Sequence, residues 1–402
     1  MGKSAAAASP SLAELRARAA QRFESIPMPV QKDKGWEFTS LERFDPSAYP
    51  AANGATTTAP AHQPVIAGAE IDLPAGVIAG SLAAAAEEHP ELVQKHLGSL
   101  VADADKFSAQ NTAEWEDGAF VYVPAGVRVP DPIVVSAVQG TPGTAMHWRS
   151  LIVLEEGAEA TVAEQYMSGS EDLDAYFNPV TELIVGEGAK LEYLCVQDLS
   201  ERSWILGTQR ADVGRDAYLH WVGLGLGSGQ GKLRMETDIT GRGATARVTG
   251  AYVGHGNQHI DYDTTQEHAA PDTVSDLAFR GILRDRATSV WSGMIKVDPG
   301  AQRTDAFQES RNLLLSNGSH ADAIPGLEIE ANDVRCTHAA TISKIDEDQV
   351  FYLMSRGLPR ADAERLLVGG FLEVIAARLE SSDTLREAVS AALERELETA
   401  LA

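Results

Sequence analysis

Cysteine is almost missing from this chain: its 402 residues include only Cys195 and Cys336. Their separation excludes CxxC zinc and redox motifs, and two thiols cannot hold a four-cysteine cluster alone. So few cysteines fit a reducing compartment, and we expect a cytoplasmic protein. Long hydrophobic runs are missing too. No stretch reaches the roughly 18 apolar residues of a transmembrane helix. Met1–Pro10 contains one Lys and an Ala run but no apolar core, so no secretory signal is expected there. Positive charge is scarce, with 33 Lys and Arg against 58 Asp and Glu and a formal charge of −25. Such a surface repels phosphate backbones, which argues against nucleic acid or an anionic membrane as partner. What remains is ordinary for a globular protein, 44% hydrophobic and 23% charged, long enough for two or three domains.

The N-terminal third reads as helical. Ser11 and Glu14 form an S-x-x-E capping box. Leu12, Leu15, Ala19, Phe23 and Ile26 follow at helical spacing, and Pro27 and Pro29 close the helix. Residues 51–64 are rich in Ala, Thr and Pro and read as a linker. A helical signal returns at 80–97, interrupted by Pro90. After about residue 118 short β-type runs recur, at 120–123, 133–135, 151–154, 181–185 and 190–194. Glu156-Gly157-Ala158 is echoed by Glu187-Gly188-Ala189, and more weakly by Gly214–Ala217 and Gly241–Ala244, with each Gly free to take a left-handed turn conformation. Recurrence every 27–31 residues without intervening helices, and with Asn-Gly hairpin turns nearly absent, predicts a β-solenoid over a hairpin sandwich. Helix returns at 346, where Asp346, Glu347 and Asp348 suit an N-terminal dipole. That helix ends at Gly357, with Pro359 beyond. A second carries Ala363, Leu366, Leu367, Phe371, Val374, Ile375 and Leu379. A third starts near Ser382 and carries Leu385, Val389, Leu393 and Leu397.

Three motifs invite chemistry. The glycines from Gly223 to Gly231 lack the G-x-G-x-x-G register, and Leu233 after Lys232 breaks a Walker A pattern, so turns between strands are the better reading. His255, His259 and His268, near Asp261, Asp263 and Glu267, contain metal-ligand types. Their alternation is that of loop and strand, which favours hydrogen-bonded structural roles. The sharpest feature is Val334–Ile342. As a strand, its alternate residues Val334, Cys336, His338, Ala340 and Ile342 share one face. Cys336 and His338 then lie about 7 Å apart. That is far for one metal ion, feasible for a multi-iron cluster, and equally compatible with a packed Cys beside a hydrogen-bonded His.

Four stretches together resemble the SufB/SufD family of the SUF iron–sulfur cluster assembly system. They are Lys106–Val127 (KFSAQNTAEWEDGAFVYVPAGV), Thr304–His338 with its RNLLLSN and EIEANDV segments, Asp346–Phe371 (DEDQVFYLMSRGLPRADAERLLVGGF), and Trp36-Glu37-Phe38-Thr39. The Cys336-Thr337-His338 form and the chain length resemble the SufD branch, whereas SufB-type chains carry E-H-E-A-T there. Ala339, where the SufD branch more often has Gly, and Ser343-Lys344-Ile345 with Glu347-Asp348-Gln349 lean toward the SufB version. The resemblance implies a mainly β fold, a right-handed parallel β-helix core flanked by N-terminal and C-terminal α-helical regions. We divide the chain into a helical region 1–105, a β-helix core 106–342 and a helical tail 343–402.

It further implies a non-catalytic scaffold that pairs with a SufB-like chain and docks the SufC-type ABC ATPase, with homodimers when alone. A transient iron–sulfur cluster is expected at the interface with SufB, held by His338 with Cys336 beside it. Nothing in the sequence supports a flavin, which the resemblance leaves open. Phe351, Tyr352, Arg356, Gly357, Leu358 and Pro359 form the expected ATPase-docking patch, an apolar-plus-Arg anchor; the competing reading packs Phe351 and Tyr352 onto the β core. The alternatives are a SufB-like paralogue, a β-helix carbohydrate-active enzyme, or a small metalloenzyme using the three histidines.

Overall fold

The computed structural model describes residues 10–52, 60–61, 64–66, 68, 71–379 and 383–401. Most of the expected linker at 51–64 lies outside the described residues, as does Ser382. The N-terminal region holds helices α1 (Leu12–Ser25), α2 (Leu82–Glu88), α3 (Pro90–His96) and α4 (Lys106–Glu114). Ser11 and Glu14 form the reciprocal capping box on α1, and Pro90, which lacks the amide a helix start leaves unpaired, occupies the first turn of α3.

The strands in chain order are β1 (Ile78–Ser81), β2 (Asp117–Val123), β3 (Ile133–Gln139), β4 (Ala145–Leu154), β5 (Glu159–Ser168), β6 (Tyr176–Val185), β7 (Lys190–Asp198) and β8 (Trp204–Val213). They continue with β9 (Tyr218–Gly225), β10 (Gln230–Ile239), β11 (Thr245–Gly254), β12 (His259–His268), β13 (Val274–Leu283), β14 (Thr288–Val297), β15 (Asp305–Leu314), β16 (His320–Ile329) and β17 (Arg335–Lys344). Even-numbered strands from β2 to β16 form one sheet, with β1 antiparallel at its start, and odd-numbered strands from β3 to β17 form the other. Neighbours within each sheet are otherwise parallel, so the chain winds as a β-helix with one strand in each sheet per coil. Alternate side chains point into the coil, where apolar residues from Val121 to Ala321 form one continuous core.

One corner of the coils explains the echo in the sequence. Gly126, Gly157, Gly188, Asp216, Gly243, Asp272 and Arg303 all have positive φ. Each donates its amide to a carbonyl at the same corner of the next coil, from Gly126 N to Glu156 O at 2.8 Å through to Arg303 N to Asp333 O at 2.6 Å. The expectation that Gly214 and Gly241 supply the left-handed residue is corrected here, because Asp216 and Gly243 do so. Gly214 and Gly241 instead allow coils to touch: a Cβ would stand 2.9 Å from Val185 O at the first and 1.9 Å from Arg215 N at the second.

Each outer face of the β-helix is covered over part of its length. The even-numbered sheet lies under the N-terminal region, where Trp36, Leu41 and Phe44 pack with Phe107, Tyr176 and Leu206. Beneath that layer the Arg149–Glu182 ion pair is fully buried. The odd-numbered sheet lies under the tail, which comprises α5 (Glu347–Ser355), α6 (Arg360–Ala376) and α7 (Asp383–Leu401). Leu194, Val222, Leu224 and Val253 meet Leu372, Ile375, Val389 and Leu393 there. Leu385, Val389, Leu393 and Leu397 are buried as their spacing implies. On α6 the expected face is corrected. Ala363, Val368, Leu372, Ile375 and Ala376 are buried, while Leu366 and Val374 are 59% and 46% exposed. Apolar residues lie on more than one side of α6, so periodicity did not reveal which side meets the sheet.

The α7 contact contains a buried acid. Burial, reinforced by the carboxylates of Asp198 and Glu201 and opposed by Arg395, raises the Glu396 carboxyl to about 7 from its usual 4.5. The folded tail therefore holds a proton that the unfolded chain releases. This contribution is complete below about pH 4.5 and is lost as pH rises through about 7. Its size is on the order of 3 kcal/mol. Denaturation midpoints at pH 5.5 and pH 8, with other groups cancelled by comparing variants, should show that Glu396→Gln flattens this loss and is the more stable form at pH 8. Equal pH dependence in both proteins would refute the assignment.

Candidate functional site

The two ends of the β-helix differ. At the first coil β1 pairs with β2, and Ile71, Val77 and Ala79 pack against the core. At the last coil β16 and β17 end their sheets, with no described strand beyond them. Ala306, Gln308, Ser310 and Asn312 on β15 point inward and are at most 1% exposed. Their register partners on β17 are Cys336, His338, Ala340 and Ile342. These occupy the same inward columns, but no further coil covers them. His338 is exposed, Cys336 is half-buried, and Ile342 is 45% exposed. On β16, Leu327 and Ile329 continue the inward columns of Ile295 and Val297, and they too are open at 37% and 40%. The open end is an apolar core in cross-section, edged by unpaired strand backbone, with one imidazole and one thiol on it.

The chemistry of the pair is unequal. Cys336 rests against the small apolar cluster of Ile295, Val297, Ala301, Ala306 and Ala331. Burial, with a smaller effect from the Asp305 carboxylate, raises its thiol above the usual range. At neutral pH it therefore stands as a thiol, a weaker ligand than the thiolate. His338 is exposed and makes no hydrogen bond to another described residue, so no described group occupies its ring nitrogens.

The histidines near residue 260 do something else. His268 bonds Thr273 through Nδ1 at 2.8 Å and Ser275 through Nε2 at 2.9 Å. Burial lowers its pKa to about 4, which keeps the ring neutral. His259 meets Thr39 and Thr288 at 2.9 and 2.8 Å, while His255 faces Glu201 at 3.4 Å. Thr39 also bonds Asp261, which Lys232 approaches at 2.7 Å, so this group fastens the N-terminal segment to the sheet. Among the described residues no three His, Cys, Asp or Glu side chains gather as a metal site.

The glycine cluster between β9 and β10 is also structural. A Cβ on Gly227 would lie 2.1 Å from Leu199 O, and one on Gly229 2.1 Å from Glu201 O.

The second surface is α5. Asp346 caps it by accepting from the amides of Asp348 and Gln349, and Glu347 holds the start of α6 through Arg360 at 2.7 and 2.9 Å. Only Val350 is buried. Phe351, Tyr352 and Met354 are 72%, 56% and 42% exposed, so Phe351 and Tyr352 do not pack onto the β core. Arg356 lies over the Tyr352 ring, 5.1 Å from its centroid, and Gly357 turns the chain at φ +98°. Arg356, Gly357 and Pro359 are exposed, and Leu358 is half-buried. Sequence reasoning put Ile342 on the face of Cys336 and His338 but missed Leu327 and Ile329 at the open end, because alternation places them inward and only the end of coil stacking exposes them.

Comparison with known proteins gives these surfaces a context. A family model described as "SUF system FeS cluster assembly, SufBD core domain" matches residues 136–371. One described as "SufBD protein N-terminal region" matches residues 62–135. The iron–sulfur cluster assembly protein SufD of Bacillus subtilis is 34% identical over 319 residues, covering 78% of this chain and 73% of that relative. An iron–sulfur cluster assembly SufBD family protein of Mycobacterium tuberculosis is 29% identical over 390 residues, covering 93% of this chain and 91% of its own. No helix among the described residues is long and apolar enough to cross a membrane.

Proposed function

This chain belongs to the SufBD family of SUF iron–sulfur cluster assembly proteins, and from that premise we propose that it is a non-catalytic scaffold of the SufD branch, working in the cytoplasm. Its open terminal coil pairs with a SufB-like chain, or with a second copy when alone, and its tail docks a SufC-type ABC ATPase. A nascent cluster is the cargo. It forms where the two chains meet, with His338 supplying one ligand from this side and Cys336 standing next to it.

The observation that carries this reading is the continuity of the inward columns into β17. His338 follows Gln308, which is fully buried, yet His338 is exposed. Stacking a partner coil on this end would cover Leu327, Ile329 and Ile342, pair the free strand edges and enclose His338 in a low-dielectric pocket. A cluster enclosed there would need ligands from both chains, since this one offers only two candidates. A neutral imidazole can replace a thiolate at one corner of a cluster. The carbohydrate-enzyme alternative has less room on the odd-numbered sheet, whose outer face α6 and α7 cover, and on the uncovered part of the even-numbered sheet Glu236, Asp238 and Glu267 are tied up in ion pairs with Arg210 and Lys296.

Ile342→Asp combined with Leu327→Asp tests the pairing. Both residues are uncovered at the open end, 45% and 37% exposed, so the fold should survive, as circular dichroism would report. Copurification with the SufB-like chain should fall by about tenfold or more, because two buried, unpaired carboxylates would oppose the interface. Undiminished pairing by the folded double variant would exclude the terminal coil as the interface.

A further inference from the structure

A groove runs between α6 and α7 on the side away from the β-helix. Its volume is about 540 Å³, with Leu372, Leu393 and Leu397 in its lining and Gly369 and Gly370 on its α6 side. A Cβ at either glycine would meet nothing within 4 Å. Two adjacent glycines inside a helix of 17 residues cost roughly 1 kcal/mol each relative to alanine, and no described part of this chain uses the space they leave. Bare backbone beside an apolar floor suits a second helix that must approach closely.

The rim is predominantly acidic. Asp362, Glu373, Glu394 and Glu398 border the groove, against a single Arg365. Arg365 is itself held by Glu398 at 3.6 Å. The groove adjoins the α5 patch, since Leu366 lines both it and the hollow beside Tyr352 and Leu353.

We propose that this groove receives an amphipathic helix of the docked ATPase, apolar toward Gly369, Gly370, Leu393 and Leu397 and carrying Lys or Arg toward the four acids. The inference rests on the reading of the tail as the ATPase-docking region, and it adds the chemistry of what docks. An apolar face laid between two helices supplies the affinity, and the acidic rim selects the partner's charge.

The test measures binding of purified SufC-type ATPase to the full chain and three variants. Gly370→Leu fills the groove from an open position and improves helix propensity, so folding is not at stake. Glu394→Lys with Glu398→Lys reverses half the rim. Phe351→Ala with Tyr352→Ala removes the α5 anchor outside the groove. We expect each variant to weaken binding by about tenfold or more. Wild-type binding should weaken as NaCl rises from about 50 to about 500 mM, and the charge-reversed variant should lose that dependence. If the α5 variant loses the ATPase while Gly370→Leu and the charge reversal bind normally, the groove inference falls and the docking reading stands. If all three bind normally, the docking reading falls as well.

Discussion

Replacing His338 with alanine should reduce cluster yield in the assembled complex by about tenfold or more, with no loss of fold or partner contacts. The expectation of unchanged stability follows from its place. His338 is exposed and bonds no other described residue, so truncation leaves no cavity and no orphaned polar group. Surface changes of that kind stay within about 0.5 kcal/mol. The expectation of a large functional loss follows from ligand scarcity. Removing groups that merely orient metal ligands already costs about 10–100-fold in affinity, and in the role proposed for His338 a ligand would be lost from a chain with two candidates. Cys336→Ser should be milder, because Cys336 packs on the apolar cluster of the last coils and its thiol resists ionisation. Iron and sulfide content of the reconstituted complex, read beside its visible absorption, checks both variants. Full cluster content in the His338→Ala complex would return the imidazole to a plain surface role.

Replacing Arg149 with alanine should destabilise the protein by about 3–5 kcal/mol, the usual result of breaking a buried ion pair from one side. Its guanidinium is fully buried and paired with Glu182. It also donates to Thr112 Oγ1 at 3.0 Å, Asn111 Oδ1 at 3.3 Å and the carbonyl of Val101. Glu182 in turn accepts from the amides of Gly98 and Leu100 at 2.8 Å and of Val101 at 3.1 Å. The pair thus fastens the 98–112 stretch to strands β4 and β6. Without Arg149 the carboxylate is left buried without its cation, and the local answer is to release that stretch to water. Urea denaturation should show the loss, and limited proteolysis should place early cleavage near residues 98–116. Arg149→Met with Glu182→Met should recover most of the stability, because an apolar pair of similar volume leaves no unpaired charge. A change below about 1 kcal/mol for Arg149→Ala would show that water already reaches this pair.

The α5 patch, the terminal coil and the buried pair were unequally visible before folding. Repeats of 27–31 residues and the absence of hairpin turns were enough for stacked coils, because each coil must return the chain to the same column. The capping box at Ser11, the break at Pro90 and the spacing of Leu385, Val389, Leu393 and Leu397 are local matters, and local chemistry settled them. The alternation around Cys336 and His338 correctly put both on one strand face. Whether that face is core or surface was not local. It depends on there being no described coil after β17, and the same pattern one coil earlier yields the buried Gln308.

Side selection on α6 failed for a related reason: apolar residues on several faces satisfy periodicity, and only contact with the odd-numbered sheet picks one. The Arg149–Glu182 pair and the encounter of Glu396 with Asp198 join residues distant in the chain, which no window along the sequence compares. Sequence by itself determined the coil, the helices and the residue types able to hold a cluster. Tertiary structure decided which of them reach solvent, because exposure depends on what packs above a residue, and that neighbour comes from elsewhere in the chain.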